Sequence, residues 1–108
     1  MSNLIKSASL EVHEIILKAL GELVSTGELS SEPVPAFIVE TPADKTHGDL
    51  STNVAMVCAR AFRMAPRKIA ELIISKIILD GTYFSKCEVA GAGFINFFLG
   101  AHWFSEVV

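Results

Sequence analysis

Two β-prone runs, YFSKCEVA (Tyr83–Ala90) and FINFFL (Phe94–Leu99), are separated only by Gly91-Ala92-Gly93. A short glycine-bearing link between such runs predicts a hairpin, because glycine reaches the positive-φ conformations of a tight reversal. That pair constrains the rest of the chain: antiparallel neighbours bury one face, and the remaining residues must supply its cover. The cover is written at helical period. Leu4, Ala8, Val12, Ile15, Ile16, Ala19, Leu20 and Leu23 predict an amphipathic helix from Asn3 to Val24, with Ser2 or Asn3 as cap and Gly27 as stop.

A helical period returns at Ser51. Val54, Met56, Val57, Cys58, Ala61 and Phe62 form one stretch. A further helix starts at Pro66, whose missing N–H costs nothing in a first turn, and carries apolar positions to Asp80-Gly81. Ala65 before it is a poor N-cap. Pro33 and Pro35 bar helix from ELSSEPVP. AFIVE (Ala36–Glu40) reads as a short strand, and TPADKTHGD as a loop or a second short strand. The predicted fold is α+β, a two-layer sandwich of α-β-β-α-α-β-β type, its antiparallel sheet covered by helices on one face. Residues 1–100 form the domain, and AHWFSEVV, residues 101–108, begins a further helix.

At 108 residues the chain is one domain's length, and 51% hydrophobic against 19% charged residues excludes a disordered chain. No run approaches the ~18 apolar residues of a membrane span; IISKIIL is broken by Ser75 and Lys76. Glu11 and Glu14 fall where an export signal keeps its apolar stretch, so the expected location is cytoplasmic. Cys58 and Cys87, isolated among apolar residues, read as reduced buried thiols. The net charge of −3 is split: two lysines face seven carboxylates up to Asp44, whereas seven basic residues face five acidic ones from Lys45 onward. Such a chain is not a generally basic nucleic-acid binder, and any nucleic-acid contact must be local.

The asparagine inside FINFFL locates that contact. Alternation along a strand puts Ile95, Phe97 and Leu99 on one face and Phe94, Asn96 and Phe98 on the other. With helices on the first face, the second presents Phe-x-Asn-x-Phe on the open side of the sheet, with Asn96 exposed between two rings. Burying an unpaired carboxamide costs about 1–3 kcal/mol. Exposed, it offers two donors and two acceptors beside aromatic surface, which suits an unpaired base stacked on a ring and read along its edge. The same pattern also fits an Asn96 bonded to a neighbouring loop, with Phe94 and Phe98 packed under the C-terminal segment. A third reading is a protein-interaction or dimerisation face.

Other candidates are weaker. Gly91-Ala92-Gly93 leads into a strand, not into the helix a dinucleotide fingerprint requires. His47, Asp49 and Ser51 resemble an acid, base and nucleophile in THGDLSTN, but nothing completes a catalytic set, and Asp49 or Ser51 reads as the cap of the following helix with Gly48 in a turn. His13, His102 and the two cysteines have no metal-site spacing. Arg60, Arg63, Arg67 and Lys68, with Lys45 before Gly48, are candidate phosphate contacts or simply a solvated face.

Together, HGDLSTNVAMVCARAFRMAPRKIAELI and CEVAGAGFINFFL resemble the N-terminal "additional" domain of arginyl-tRNA synthetases over Leu4 to Leu99. The shared features are Gly48-Asp49, Asn53-Val54-Ala55, Pro66-Arg67-x-Ile69-Ala70 and Gly91-x-Gly93-Phe94-Ile95-Asn96. Ala65 and Ala92 depart from the usual Asn and Pro. The resemblance implies a helix-backed antiparallel sheet preceding a class I catalytic domain. It implies contact with the tRNA(Arg) D-loop at the outer corner, through Phe94 and Asn96 with Phe98 alongside, and through residues near Trp103 just beyond the strand. It implies that the full-length enzyme, a monomer, charges tRNA with arginine using ATP and Mg²⁺. The chain has neither a His-x-Gly-His-type signature nor a Lys-Met-Ser-Lys-Ser-type loop, so it carries no catalytic residue of its own and is not expected to act alone.

Overall fold

The computed structural model describes residues 2–31, 33–43 and 48–100. Its elements run α1 (Ser2–Ser25), β1 (Val39–Glu40), β2 (Leu50–Thr52), α2 (Val54–Phe62), α3 (Pro66–Lys76), β3 (Phe84–Ala90) and β4 (Phe94–Leu99). This is the expected α+β order, and the hairpin strands fall where the sequence puts them. The sheet order is β1-β2-β4-β3, antiparallel throughout.

Helical spacing decides what α1 buries. Ala8, Val12, Ile16, Ala19, Leu20 and Leu23 are 2% exposed or less, while Leu10 and Leu17 look away from the core. Gly27, at φ 82, lets the chain reverse, and the amides of Glu28 and Leu29 return to the carbonyl of Leu23. Helix α1 packs on α3, α2 packs on α3 and β4, and α3 packs on β3. Beneath them lie Leu50, Ile95 and Phe97, fully buried, with the Phe84 ring edge-on to Phe97 at 5.4 Å between centroids. Glu11 fastens α1 to the sheet by accepting the Tyr83 amide at 2.7 Å.

Three expectations are corrected. Ser51 does not open a helix: it lies in β2 opposite Asn96, and α2 starts at Val54. Helix α3 stops at Lys76 rather than running to Asp80, because Ile77 is extended at ψ 132 and Thr82 closes a turn onto the Leu79 carbonyl. The strand in AFIVE shortens to Val39–Glu40. Side chains take the place of ladder partners at Ile38, whose amide donates to Asn53 Oδ1 at 3.0 Å and whose carbonyl accepts from Thr52 Oγ1 at 2.8 Å.

The hairpin turn is clamped from outside. Gly93, at φ 149, sits so close to α3 that a Cβ there would lie 2.8 Å from Pro66 Cβ and 3.1 Å from its carbonyl carbon. Arg67 Nη1 donates to the Gly91 carbonyl at 2.8 Å. The Pro-Arg and Gly-x-Gly pieces of the sequence are therefore one contact: the first turn of α3 fixes the turn that delivers Phe94.

Candidate nucleic-acid interface

Strand register builds the candidate site. Glu40 lies opposite Ser51, Ser51 opposite Asn96, and Asn96 opposite Glu88. Paired antiparallel residues share a face, so these four form one row across the side of the sheet away from the helices. Phe94 stands on that face at the hairpin end, and Phe98 at the other end, opposite Lys86. A cavity of about 330 Å³ opens there, lined by Glu40, Pro42, Ala43, Ser51, Ala90, Gly91, Phe94 and Asn96.

Asn96 is on the expected face but is not exposed. Its accessibility is 2%, and its Oδ1 accepts a hydrogen bond from Ser51 Oγ at 2.9 Å. The expectation of a flat surface fails because Pro42 and Ala43, just past β1, raise a wall beside the row, and Ser51 occupies the acceptor end of the amide. No described residue accepts from Nδ2, and no buried side-chain nitrogen or oxygen is left without a partner among the described residues. The oxygen end of the amide is thus held by Ser51, and Asn96 is one of the residues lining the cavity.

The two phenylalanines also differ. Phe94 is 38% exposed, an open ring on the cavity rim. Phe98 is only half-open: Lys86 Nζ lies 4.4 Å above its ring centroid, a cation–π contact that covers one face. Lys86 is also 3.9 Å from Glu88, so its charge is shared. Of the basic candidates, Arg67 reaches the site's edge through Gly91 and also pairs with Glu71 at 3.7 Å, which makes it a brace for the turn. Arg60, Arg63 and Lys68 are exposed and do not line the cavity. Lys45, His47, His102, Trp103 and the predicted helix of residues 101–108 lie outside the described residues.

THGDLSTN is structural over its described part. Asp49 Oδ2 accepts the Leu99 amide and the Asp49 amide donates to the Phe97 carbonyl, both at 2.9 Å, so the carboxylate extends the β2–β4 pairing instead of capping α2. Thr52 and Asn53 serve Ile38; Asn53 makes no side-chain cap bond, and Thr52 Oγ1 also accepts the amide of Val54, the first residue of α2, at 3.3 Å. His13 stacks on Phe37 at 4.2 Å. Glu40, Pro42 and Ala43 were not recognisable as site residues from local pattern, and Ser51 stood out only as a possible nucleophile or helix cap.

Among the described residues no group of three or more His, Cys, Asp or Glu side chains could hold a metal ion. No helix there is long and apolar enough to cross a membrane. Both cysteines are free thiols. Burial pushes Cys58 up to about 11; burial, then the Glu88 charge, raises Cys87. Because the thiolate is the nucleophile, alkylation of Cys58 by iodoacetamide at about pH 8 is expected to run more than about a hundredfold slower in the native protein than in urea. Peptide mass spectrometry over time checks this, and comparable rates in the two states would contradict a sealed thiol.

The family model for the arginyl tRNA synthetase N-terminal domain matches residues 10–99. An arginine–tRNA ligase of Caldanaerobacter subterraneus subsp. tengcongensis is 49% identical over all 108 residues, and one of Acetivibrio thermocellus is 40% identical over the same span. The chain covers 19% of each of these relatives. Two solved structures share the fold. The arginyl-tRNA synthetase of Plasmodium falciparum aligns with 91% of this chain and 17% of its own at TM-score 0.68 and 21% identity; that of Thermus thermophilus aligns with 87% and 14% at 0.65 and 22%.

Proposed function

The chain belongs to the arginyl-tRNA synthetase N-terminal domain family, and from that premise we propose that it is the tRNA-binding part of an arginine–tRNA ligase, docking the D-loop of tRNA(Arg) on the helix-free side of its sheet. The observation that carries this reading is the pairing of an exposed ring, Phe94, with the carboxamide of Asn96, its oxygen held by Ser51, in one cavity. A ring and an amide so placed match what an unpaired base needs, a stacking surface and an edge contact. Because Asn96 is recessed, the base enters edge-first between Phe94 and the Pro42–Ala43 wall instead of lying flat on the sheet.

The electrostatics fit a base better than a phosphate. Glu88 lies opposite Asn96 and Glu40 opposite Ser51 at the two ends of the row, and two carboxylates there repel a phosphate. Phosphate contacts, where they form, fall to Arg60, Arg63 and Lys68, away from the cavity, and to Lys45, and Trp103 joins the D-loop surface. On this reading residues 101–108 begin the connection to the catalytic domain, and the full-length protein works as a cytoplasmic monomer. ATP and Mg²⁺ belong to that catalytic domain. The described residues here do not fit them, since the glycine turn feeds a strand and no cluster of metal-ligating side chains accompanies it.

Asn96→Ala in the full-length protein is expected to lower kcat/KM for arginylation by the equivalent of about 1–3 kcal/mol, the range of one base contact. The comparison is made on tRNA(Arg) with its D-loop intact and with its unpaired D-loop bases replaced by abasic sites. An equal loss on both substrates would sink the base-reading role.

A further inference from the structure

Ser51 is a β2 residue that lines the cavity, and its hydroxyl is spent on Asn96. It is 7% exposed, and its side-chain hydrogen bond among the described residues runs Oγ to Asn96 Oδ1 at 2.9 Å. A carboxamide can turn about its last bond and exchange its donor end for its acceptor end. Here two features set the orientation. The Ser51 hydroxyl donates to the oxygen, and Glu88, the neighbour of Asn96 on the strand away from Ser51, favours an N–H group over a second oxygen facing it.

Resting on the base-reading function above, we infer that Ser51 is a positioning residue that sets the base specificity of the site by locking Asn96 with its donors toward the ligand. The edge presented to Asn96 must then carry an acceptor. On the Watson–Crick edge the central ring nitrogen is an acceptor in adenine and cytosine and bears hydrogen in guanine and uracil. Where Nδ2 meets that ring nitrogen, and not the carbonyl oxygens that guanine and uracil also carry, the site favours the first pair and disfavours the second. The preference does not come from Asn96 alone, since an unlocked amide serves either kind of edge.

The test places each of the four bases at the unpaired D-loop position that Asn96→Ala identifies and measures arginylation kcat/KM with the full-length protein. The wild type is expected to favour adenine and cytosine by about tenfold or more, the size of one good edge contact. In Ser51→Ala that ratio falls toward one, and it falls because guanine and uracil improve. Ser51→Thr, which keeps the hydroxyl, restores the ratio. A purely structural role for Ser51 cannot improve any substrate, so a uniform fall across all four bases, or an unchanged ratio, overturns the positioning role even where Asn96→Ala abolishes base dependence. Thermal melting of each variant separates a folding defect from either result. If Asn96→Ala leaves base dependence intact, the base-reading function itself is wrong, and the role of Ser51 goes with it.

Discussion

Gly48→Ala is expected to destabilise the protein by about 2–5 kcal/mol, the sum of left-handed backbone strain and a forced collision. Gly48 has φ 89, and a Cβ there would stand 2.8 Å from the Phe97 carbonyl oxygen and 3.3 Å from its carbon. That oxygen already accepts the Asp49 amide, and Phe97 lies in the central strand, so neither side can yield cheaply. The control is Gly81→Ala. Gly81 has almost the same φ, 81, with nothing within 4 Å of its would-be Cβ. It should lose only the strain, about 1–2 kcal/mol. Urea unfolding with an unchanged m-value reads both variants. Equal losses would mean that β2 and β4 shift apart at little cost and that the close approach at Gly48 is not a constraint.

This collision explains why some features were readable in the sequence and others were not. A glycine beside Asp49 announces a turn, but that the turn lies against a strand nearly fifty residues away is a tertiary fact. The hairpin and the buried stripe of α1 were legible because each follows a local period: alternation in FINFFL, and the three- and four-residue spacing from Ala8 to Leu23. The start of β2 was misread because Ser51-Thr52-Asn53 leads into an apolar helical run and polar residues there look like caps. Thr52 and Asn53 instead bond Ile38, and Ser51 bonds Asn96. Those partners lie 14, 15 and 45 residues away. The face of Asn96 was correct for the same reason that its exposure was not. Side-chain alternation is local, whereas burial depends on what the Pro42–Ala43 segment does above the sheet. Arg67 shows the same limit: its place in a basic cluster suggested phosphate, and its guanidinium holds a backbone carbonyl.

Phe97→Ala is expected to cost about 3–5 kcal/mol, a large share of the stability of a domain this size, while Phe94→Ala, three residues earlier on the same strand, should cost under about 1 kcal/mol. Phe97 is fully buried, opposite Leu50 on one side and Cys87 on the other, with Phe84 against its edge. Truncating it leaves a void that four elements would have to collapse to fill. Phe94 is 38% exposed, and one side of its ring faces the cavity. Function should rank the pair in the opposite order. Under conditions where both variants remain folded, Phe94→Ala removes the stacking surface, worth about 1–3 kcal/mol of tRNA binding, and Phe97→Ala leaves that surface in place. Melting temperature and tRNA affinity, measured on the same two preparations, make the comparison. A Phe94→Ala protein that melts as early as Phe97→Ala would show the Phe94 ring to be part of the core, and a base would have no ring there to stack on.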